Sequence, residues 1–460
     1  MTCAGNIWSK FKWDILCLII LLVTSPLFFY NLGQSSLVNW DEAWYGDIAR
    51  NILKRGDLWN LFWNGKAYID HPPMGFWLTA LTFQIFGISE FWARFPQATA
   101  GLAAIIALYL LGKELFNRVV GFSSALALIS SFWFLYRARS GNLDISLTLF
   151  FILSIFLAIK ASKDKKFLLL FSISLAFLFL SKTLVPLTII PALLIIFWGT
   201  LKFKWKELIL PVIFFLVLVG SWLISQVINN PGFFQTYIRI GFPEAQIKSS
   251  YIENLKLFKE YLHSGVGKWF WPGIFSAALS LILRQKSFLI LSVFVLTFSL
   301  PFAFSHKGQI WHLIPLHPFL ILSFFGFLYT ISFKFVRNTK ITAILVISVC
   351  VYFSFIQIRQ AWYQFIDIPA YISDEAILAK EAGKYSEDLY IDGADFTPTA
   401  VFYSGKNVSK VWRDGLGELF DNEKKFVLIT YLWRLDNAGI PKEKYRIIKT
   451  DRDKILIIKI

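Results

Sequence analysis

Two adjacent carboxylates stand between aromatic residues in Trp40-Asp41-Glu42-Ala43-Trp44-Tyr45, directly after a long apolar run. Partial burial raises a carboxylate toward the range of a working base. The same pattern also fits an acidic cap within an interfacial aromatic belt. A second acid, Asp144, opens another apolar run in Arg137-Ala138-Arg139-Ser140-Gly141-Asn142-Leu143-Asp144. An acid on a membrane helix is costly and marks function, whereas at a helix start the dipole alone favours it. Cations accompany these acids. His71 precedes Pro72-Pro73, Arg137 and Arg139 flank Asp144, Lys182 sits in a short turn, and His306, Lys307 and His312 lie around the start of a later run. Each alone fits snorkelling or solvation. Together they fit an anionic lipid headgroup. Glycosyl transfer from a lipid phosphate needs this set of groups. A base takes the acceptor proton, and cations take up the charge growing on the departing phosphate. Phosphate leaves without protonation, so the second catalytic carboxyl of a glycoside hydrolase is not required.

The elements that must hold these residues are membrane spans. The 460 residues are 56% hydrophobic, with a mean hydropathy of +0.57, beyond the ~45–50% of soluble domains. Apolar runs at 14–32, 96–116, 118–136, 143–160, 167–181, 184–199, 208–228, 268–283, 287–304, 311–332 and 341–358 predict about eleven helical spans. With Lys10 and Lys12 in the cytoplasm, the loops holding Arg118, Lys160 to Lys166, Lys202 to Lys206, Arg284 and Lys286, and Lys334 to Lys340 are cytoplasmic too. That is the asymmetry of the positive-inside rule. The first run reads as an uncleaved span, since no small-residue cleavage site follows it. The stretch 73–88, broken by Thr79, Thr82 and Gln84, is placed as an interfacial or re-entrant helix on the far side. A single extra span there would turn the basic loops outward, while two hidden ones would keep the parity and give about thirteen.

Residues 1–358 therefore read as a transmembrane catalytic domain, with 33–95 as its first outer loop. Residues 359–460 read as a small extracytoplasmic α/β domain. It comprises a helix at 373–386, a strand at 389–392, a helix or loop at 395–404, a strand at 426–431 and a hairpin at 445–460. The net charge of +16 serves topology, and no basic aromatic surface is left for nucleic acid. Cys3, Cys17 and Cys350 form neither a metal motif nor a disulfide framework. Asp451-Arg452-Asp453 matches the short acidic pattern of nucleotide-sugar enzymes, but it sits at the expected hairpin turn and no Rossmann-like half accompanies it.

In order, these pieces resemble the GT-C superfamily, and within it the GT39-like group of protein O-mannosyltransferases and aminoarabinose transferases. The matching stretches are Asp41-Glu42-Ala43-Trp44-Tyr45 with Ile48-Ala49-Arg50, then Gly65-Lys66-Ala67-Tyr68-Ile69-Asp70-His71-Pro72-Pro73 with Trp77-Leu78. Next come Phe86-Gly87, Ala93-Arg94-Phe95-Pro96, Ala138-Arg139 with Asp144, Ser181-Lys182, and Ser305-His306-Lys307 with Ile314-Pro315 and Pro318. The resemblance implies a GT-C fold and a polyprenyl-phosphate-sugar donor. It implies catalytic roles for Asp41, as the base, with Glu42 and Asp144, and phosphate contacts from His71, Arg139, Lys182 and Lys307. Tyr45, Tyr68, His306 and His312 are further site candidates. No cofactor is required, although some members bind a divalent ion; Asp70, His71 and His263 could ligate one here. Two positions depart from the group: many bacterial members carry Arg where this chain has Trp44, and Lys where it has His71. The His-Pro-Pro form occurs in the protein-mannosyltransferase branch. A histidine binds an anion best when protonated, near or below pH ~6.5.

The expected protein is thus an inverting glycosyltransferase of the plasma membrane, with a cytoplasmic N-terminus and an outer C-terminal domain. Its acceptor is a hydroxyl or phosphate on a lipid, glycan or protein. Asp41 and the cations of later outer turns are expected to converge on one cavity. The alternative is a polytopic lipid or solute transporter, which would place its charges at midplane on broken helices.

Overall fold

The computed structural model describes residues 2–37, 41–199, 204–241, 251–303, 309–393, 397–412, 415–422 and 424–460. The chain divides into two compact units. One comprises Met1–Asn31, Ile69–Gly75 and Gln97–Ile368; the other comprises Leu32–Tyr68, Phe76–Pro96 and Pro369–Ile460.

The first unit is helical, and the protein is a multi-pass membrane protein. Among the described residues, eight helices are long and apolar enough to cross a bilayer: Lys12–Phe29, Glu90–Leu115, Asp144–Lys163, Trp205–Asn229, Ile252–Leu283, Lys286–Ala303, Ile310–Val336 and Thr339–Ile366. A ninth arises if Arg118–Ile129 and Phe132–Ala138, bent by 69° at their junction, form one broken span. The remaining two of the eleven apolar runs are helical but short, at Leu168–Phe179 and Val185–Phe197. Residues 73–88 also form a short helix, Met74–Phe86.

The bend follows Ser130 and Ser131, where a break in the helix leaves backbone groups that must find partners in a medium without water; the Ser130 and Ser131 N–H groups bond the Ala127 and Leu128 carbonyls at 3.1 and 3.0 Å. Both serines are buried and bonded. Ser130 accepts from Trp269 Nε1 at 2.9 Å and Gln357 Nε2 at 3.0 Å. Ser131 Oγ lies 2.7 Å from His317 Nδ1 and 3.2 Å from the Gly265 carbonyl. Where the chain turns into this broken pair, Gly112 of Glu90–Leu115 and Gly121 of Arg118–Ile129 let the two helices approach closely. A Cβ at Gly121 would lie 2.4 Å from the Tyr109 carbonyl, and one at Gly112 would lie 2.6 Å from Gly121 Cα. Small residues permit this approach. Asp14, within the first apolar run, is buried and paired. It accepts from Lys113 at 2.8 Å, from Arg118 at 2.7 Å and from the Tyr109 hydroxyl.

The second unit joins the first long loop to the tail. Its loop helix, Asp41–Arg55, buries Arg50, which pairs with Asp47 and donates to the carbonyls of Phe402 at 2.6 Å and Val401 at 3.0 Å. Burial pushes the Asp47 carboxyl above its usual range, against the opposing pull of Arg50. A hairpin pairs Leu61–Trp63 with Lys66–Tyr68. Its turn, Asn64-Gly65, has both φ angles positive, the geometry that Asn-Gly favours.

The tail forms a five-stranded sheet in the spatial order Val408–Val411, Asp388–Asp392, Phe426–Tyr431, Lys454–Lys459, Tyr445–Asp451. The first three strands are parallel, and the last two form an antiparallel hairpin. Helices Asp374–Ala382 and Thr397–Ser404 pack on it. The expected elements are present. The strand Val408–Val411 and the helices Leu416–Asp421 and Leu432–Asn437 are additions. Asp451, Arg452 and Asp453 lie at the hairpin turn, where Arg452 has a φ of +51° and donates to the Ile372 carbonyl at 3.0 Å.

Candidate functional site

In the helical unit, Asp144 is the centre of a buried charge cluster. It opens its helix two residues after Asn142, whose side-chain oxygen receives the Asp144 N–H at 2.8 Å. Asp144 Oδ2 accepts from Arg137 at 2.8 Å, and Oδ1 accepts from Lys182 Nζ at 2.7 Å. All three side chains are almost enclosed, with 3%, 10% and 11% of their surfaces exposed. One carboxylate therefore serves two cations, and these three groups together carry an excess of positive charge. The Arg137 guanidinium also lies 5.2 Å from the Trp311 ring centre.

Backbone contacts bring the His71-Pro72-Pro73 segment to this cluster. Thr183 donates its hydroxyl to the Asp70 carbonyl at 2.8 Å, and Met74 donates its N–H to the Leu180 carbonyl at 3.0 Å. Both contacts grip the turn that carries Lys182. A Cβ at Gly75 would lie 2.2 Å from a Leu143 methyl, beside Asp144. His71 is consequently enclosed. Burial, followed by the positive charge of Lys182, pushes its imidazole down to about 3. The neutral imidazole is therefore the favoured form of His71 at physiological pH. Burial raises the Asp70 carboxyl above its usual range. His312 lies close enough to Asp144, Lys182 and Arg137 to feel their charges. Its Nδ1 accepts from the Gln309 N–H at 3.3 Å.

Arg139 has different partners. Its terminal nitrogens donate to the carbonyls of Leu27 at 2.9 Å and Tyr30 at 2.7 Å, at the end of the first span. Arg137 is the arginine that meets Asp144. His306 and Lys307 lie outside the described residues. His263 is exposed, with its ring 5.4 Å from Phe270. Among the described residues, no group of three or more His, Cys, Asp or Glu side chains could hold a metal ion.

In the other unit, Asp41 is the first residue of its helix and is half-buried. Glu42 beside it is locked. Arg94 donates Nε to Oε1 and a terminal nitrogen to Oε2, both at 2.8 Å, and also reaches the carbonyls of Leu32, Ser35 and Ser36. Both carboxylate oxygens of Glu42 are thus held in a buried bidentate pair, which suits holding the helix start and not proton transfer. An aromatic group follows. Trp44 lies 5.1 Å from Trp63 and 5.5 Å from Tyr68, and Tyr45 meets Phe76 edge-on at 5.2 Å. Trp44 is thus packed among aromatic rings.

Residues 70–224 match the family described as Dolichyl-phosphate-mannose-protein mannosyltransferase. The crystal structure of ArnT from Cupriavidus metallidurans bound to undecaprenyl phosphate superposes with a TM-score of 0.72 over 98% of both chains, at 17% identity. The chain therefore shares the fold of that structure. Among relatives, the undecaprenyl phosphate-alpha-4-amino-4-deoxy-L-arabinose arabinosyl transferase 1 of Proteus mirabilis is 24% identical over 318 residues, 66% of this chain and 56% of that protein. An uncharacterized protein of Aquifex aeolicus is 33% identical over 141 residues, 30% of this chain and 28% of the relative. The alignments thus span 28% and 56% of these two relatives' lengths.

Proposed function

We propose that the protein transfers a sugar, with inversion, from a polyprenyl-phosphate carrier to an acceptor hydroxyl or phosphate on the non-cytoplasmic face of the plasma membrane. The observation that carries this reading is the sharing of Asp144 between Arg137 and Lys182. Cations held in place before the reaction stabilise a leaving phosphate without reorganising as its charge grows. Asp144 is then a positioning residue: it orients both cations and limits their mutual repulsion. His71 contributes a neutral hydrogen bond to the phosphate or the sugar. Lys307 adds a further cation.

Asp41 is the base in this reading. Its carboxylate takes the proton of the acceptor as the acceptor oxygen bonds to the anomeric carbon. The bond from that carbon to the phosphate oxygen breaks, and the carrier leaves as a polyprenyl phosphate. Glu42, held by Arg94, fixes the start of the helix that presents Asp41. The relatives' names and the family match support the donor class.

The test is reconstitution in vesicles with a labelled undecaprenyl-phosphate sugar and a set of lipid, peptide and glycan acceptors. Consumption of the sugar-lipid with a new glycosylated product supports transfer. Relocation of an unconsumed sugar-lipid across the bilayer would identify a transporter instead.

A further inference from the structure

A buried serine and a buried histidine of the helical unit have no part in the transfer chemistry. Ser131 occupies the N-cap of the helix Phe132–Ala138, yet its side chain makes no bond to that helix, as an N-cap serine ordinarily does. It turns instead to the span Ile310–Val336. Its hydroxyl oxygen lies 2.7 Å from His317 Nδ1 and 3.2 Å from the Gly265 carbonyl. A hydroxyl has one hydrogen to give. Both contacts are hydrogen bonds only when Ser131 donates to Gly265 and His317 Nδ1–H donates to Ser131. The other ring nitrogen, Nε2, has no hydrogen-bond partner among the described residues, and a Cβ at Gly265 would lie 3.0 Å from it. Ser131 and His317 are both fully buried. A histidine enclosed in a membrane span is costly and marks a use.

The pair stands at the root of two segments that carry site residues. The helix Phe132–Ala138 begins at Ser131 and bears Arg137 in its last turn. His317 directly follows the 3₁₀ helix Ile310–Leu316, which bears Trp311 and His312. The two segments meet again away from the pair. The Trp133 ring lies 6.3 Å from the Trp311 ring, and the Arg137 guanidinium lies 5.2 Å from the Trp311 ring centre. They are therefore tied at both ends, by Ser131–His317 at one and by Arg137–Trp311 at the other. Asp144 grips the tip of the Arg137 side chain. The Ser131–His317 bond holds the place where the helix beneath it begins.

We propose that His317 is a positioning residue for Arg137: by bonding Ser131 it sets the helix Phe132–Ala138 against the segment Ile310–Leu316, and so sets where the guanidinium meets the donor phosphate. Such support matters, because a misplacement of about 1 Å in a substrate-holding group costs on the order of 100-fold. Packing alone does not call for an imidazole here, since an aliphatic side chain fills the space without burying a polar ring. The inference rests on the reading of Arg137 as a phosphate contact.

The test measures binding of labelled undecaprenyl phosphate to the full-length protein in detergent, with transfer assayed in parallel and melting temperatures taken for every variant. His317→Leu should weaken binding about tenfold, the scale of one impaired charge-assisted bond. His317→Asn, whose amide nitrogen stands where Nδ1 stood, should recover most of that loss. Gly265→Ala leaves the imidazole in place but crowds Nε2, and it should weaken binding too. In an Arg137→Gln background, His317→Leu should cause no further loss, because it acts through the group already removed. The proposal is overturned if folded His317→Leu binds like the wild type, if its loss multiplies with that of Arg137→Gln, or if His317→Asn recovers nothing. A wild-type protein that does not bind undecaprenyl phosphate overturns it as well. Should His317→Leu fail to accumulate, Gly265→Ala is compared in the same two backgrounds, with the same outcomes deciding. Wild-type binding without transfer counts against the transferase reading alone.

Discussion

Asp144 and Lys182 form a 2.7 Å ion pair with 3% and 11% of their side chains exposed, and Arg137 binds the other oxygen of the same carboxylate. Removing one member of a buried pair leaves a charge without its partner, at a cost of about 3–5 kcal/mol. Asp144→Asn and Lys182→Gln should therefore each lower thermal stability in detergent as well as activity. The double variant Asp144→Asn/Lys182→Gln should recover part of the stability and none of the activity. A double-mutant cycle on melting temperatures checks this, and strictly additive losses would contradict it.

Glu42 and Asp41 are neighbours with different expected losses. Glu42→Ala strands the buried guanidinium of Arg94 and should destabilise the protein by about 3–5 kcal/mol. Asp41→Asn keeps the size and polarity of a half-buried side chain and should cost about 1 kcal/mol or less. Thermal unfolding of the two variants side by side decides the matter. Equal losses would mean that Asp41 also holds the fold.

His71 should make the protein sensitive to acid. Its folded-state value of about 3 lies below the ordinary 6.5, so between those values the unfolded chain binds more protons. Stability from this group is fully present above pH ~6.5 and declines as pH falls toward about 3. His71→Asn should flatten the fall in melting temperature between pH 7 and 5. Donor KM should not improve over the same range, because the ring stays neutral. A donor KM that improves on acidification and loses that trend in His71→Asn would show a protonated imidazole on the phosphate.

Arg137 and Arg139 should separate in kinetics. Arg137→Gln is expected to raise donor KM and lower kcat, since it faces the charge cluster. Arg139→Gln is expected to lower stability, with donor KM near the wild-type value, because Arg139 donates to the Leu27 and Tyr30 carbonyls. The reverse pattern in steady-state kinetics would exchange their roles.

Much of this was legible in the sequence because hydrocarbon imposes long apolar runs and loop charge marks their ends. Among the described residues all eleven runs are helical, and the strand Phe426–Tyr431 has its expected limits. What escaped depends on contacts between distant residues. Spacing beside Asp144 does not distinguish Arg137 from Arg139; the helix end at 138 does. Arg94 stood in a matching motif without a role, and its partner lies 52 residues away. Asp14 passed as the edge of an apolar run because its three partners lie some 100 positions along the chain. The hairpin at 61–68 did carry a local signal, Asn64-Gly65. The span count depends on how the short helices at 168–179 and 185–197 meet the bilayer, which composition does not fix.

The most direct test is the rate of sugar transfer by Asp41→Asn, measured with purified protein, a labelled undecaprenyl-phosphate sugar and a working acceptor. Loss of a general base should slow transfer by about 100- to 10,000-fold, while the variant inserts, accumulates and melts like the wild type. Transfer at the wild-type rate would remove Asp41 from the chemistry and, with it, the proposed mechanism.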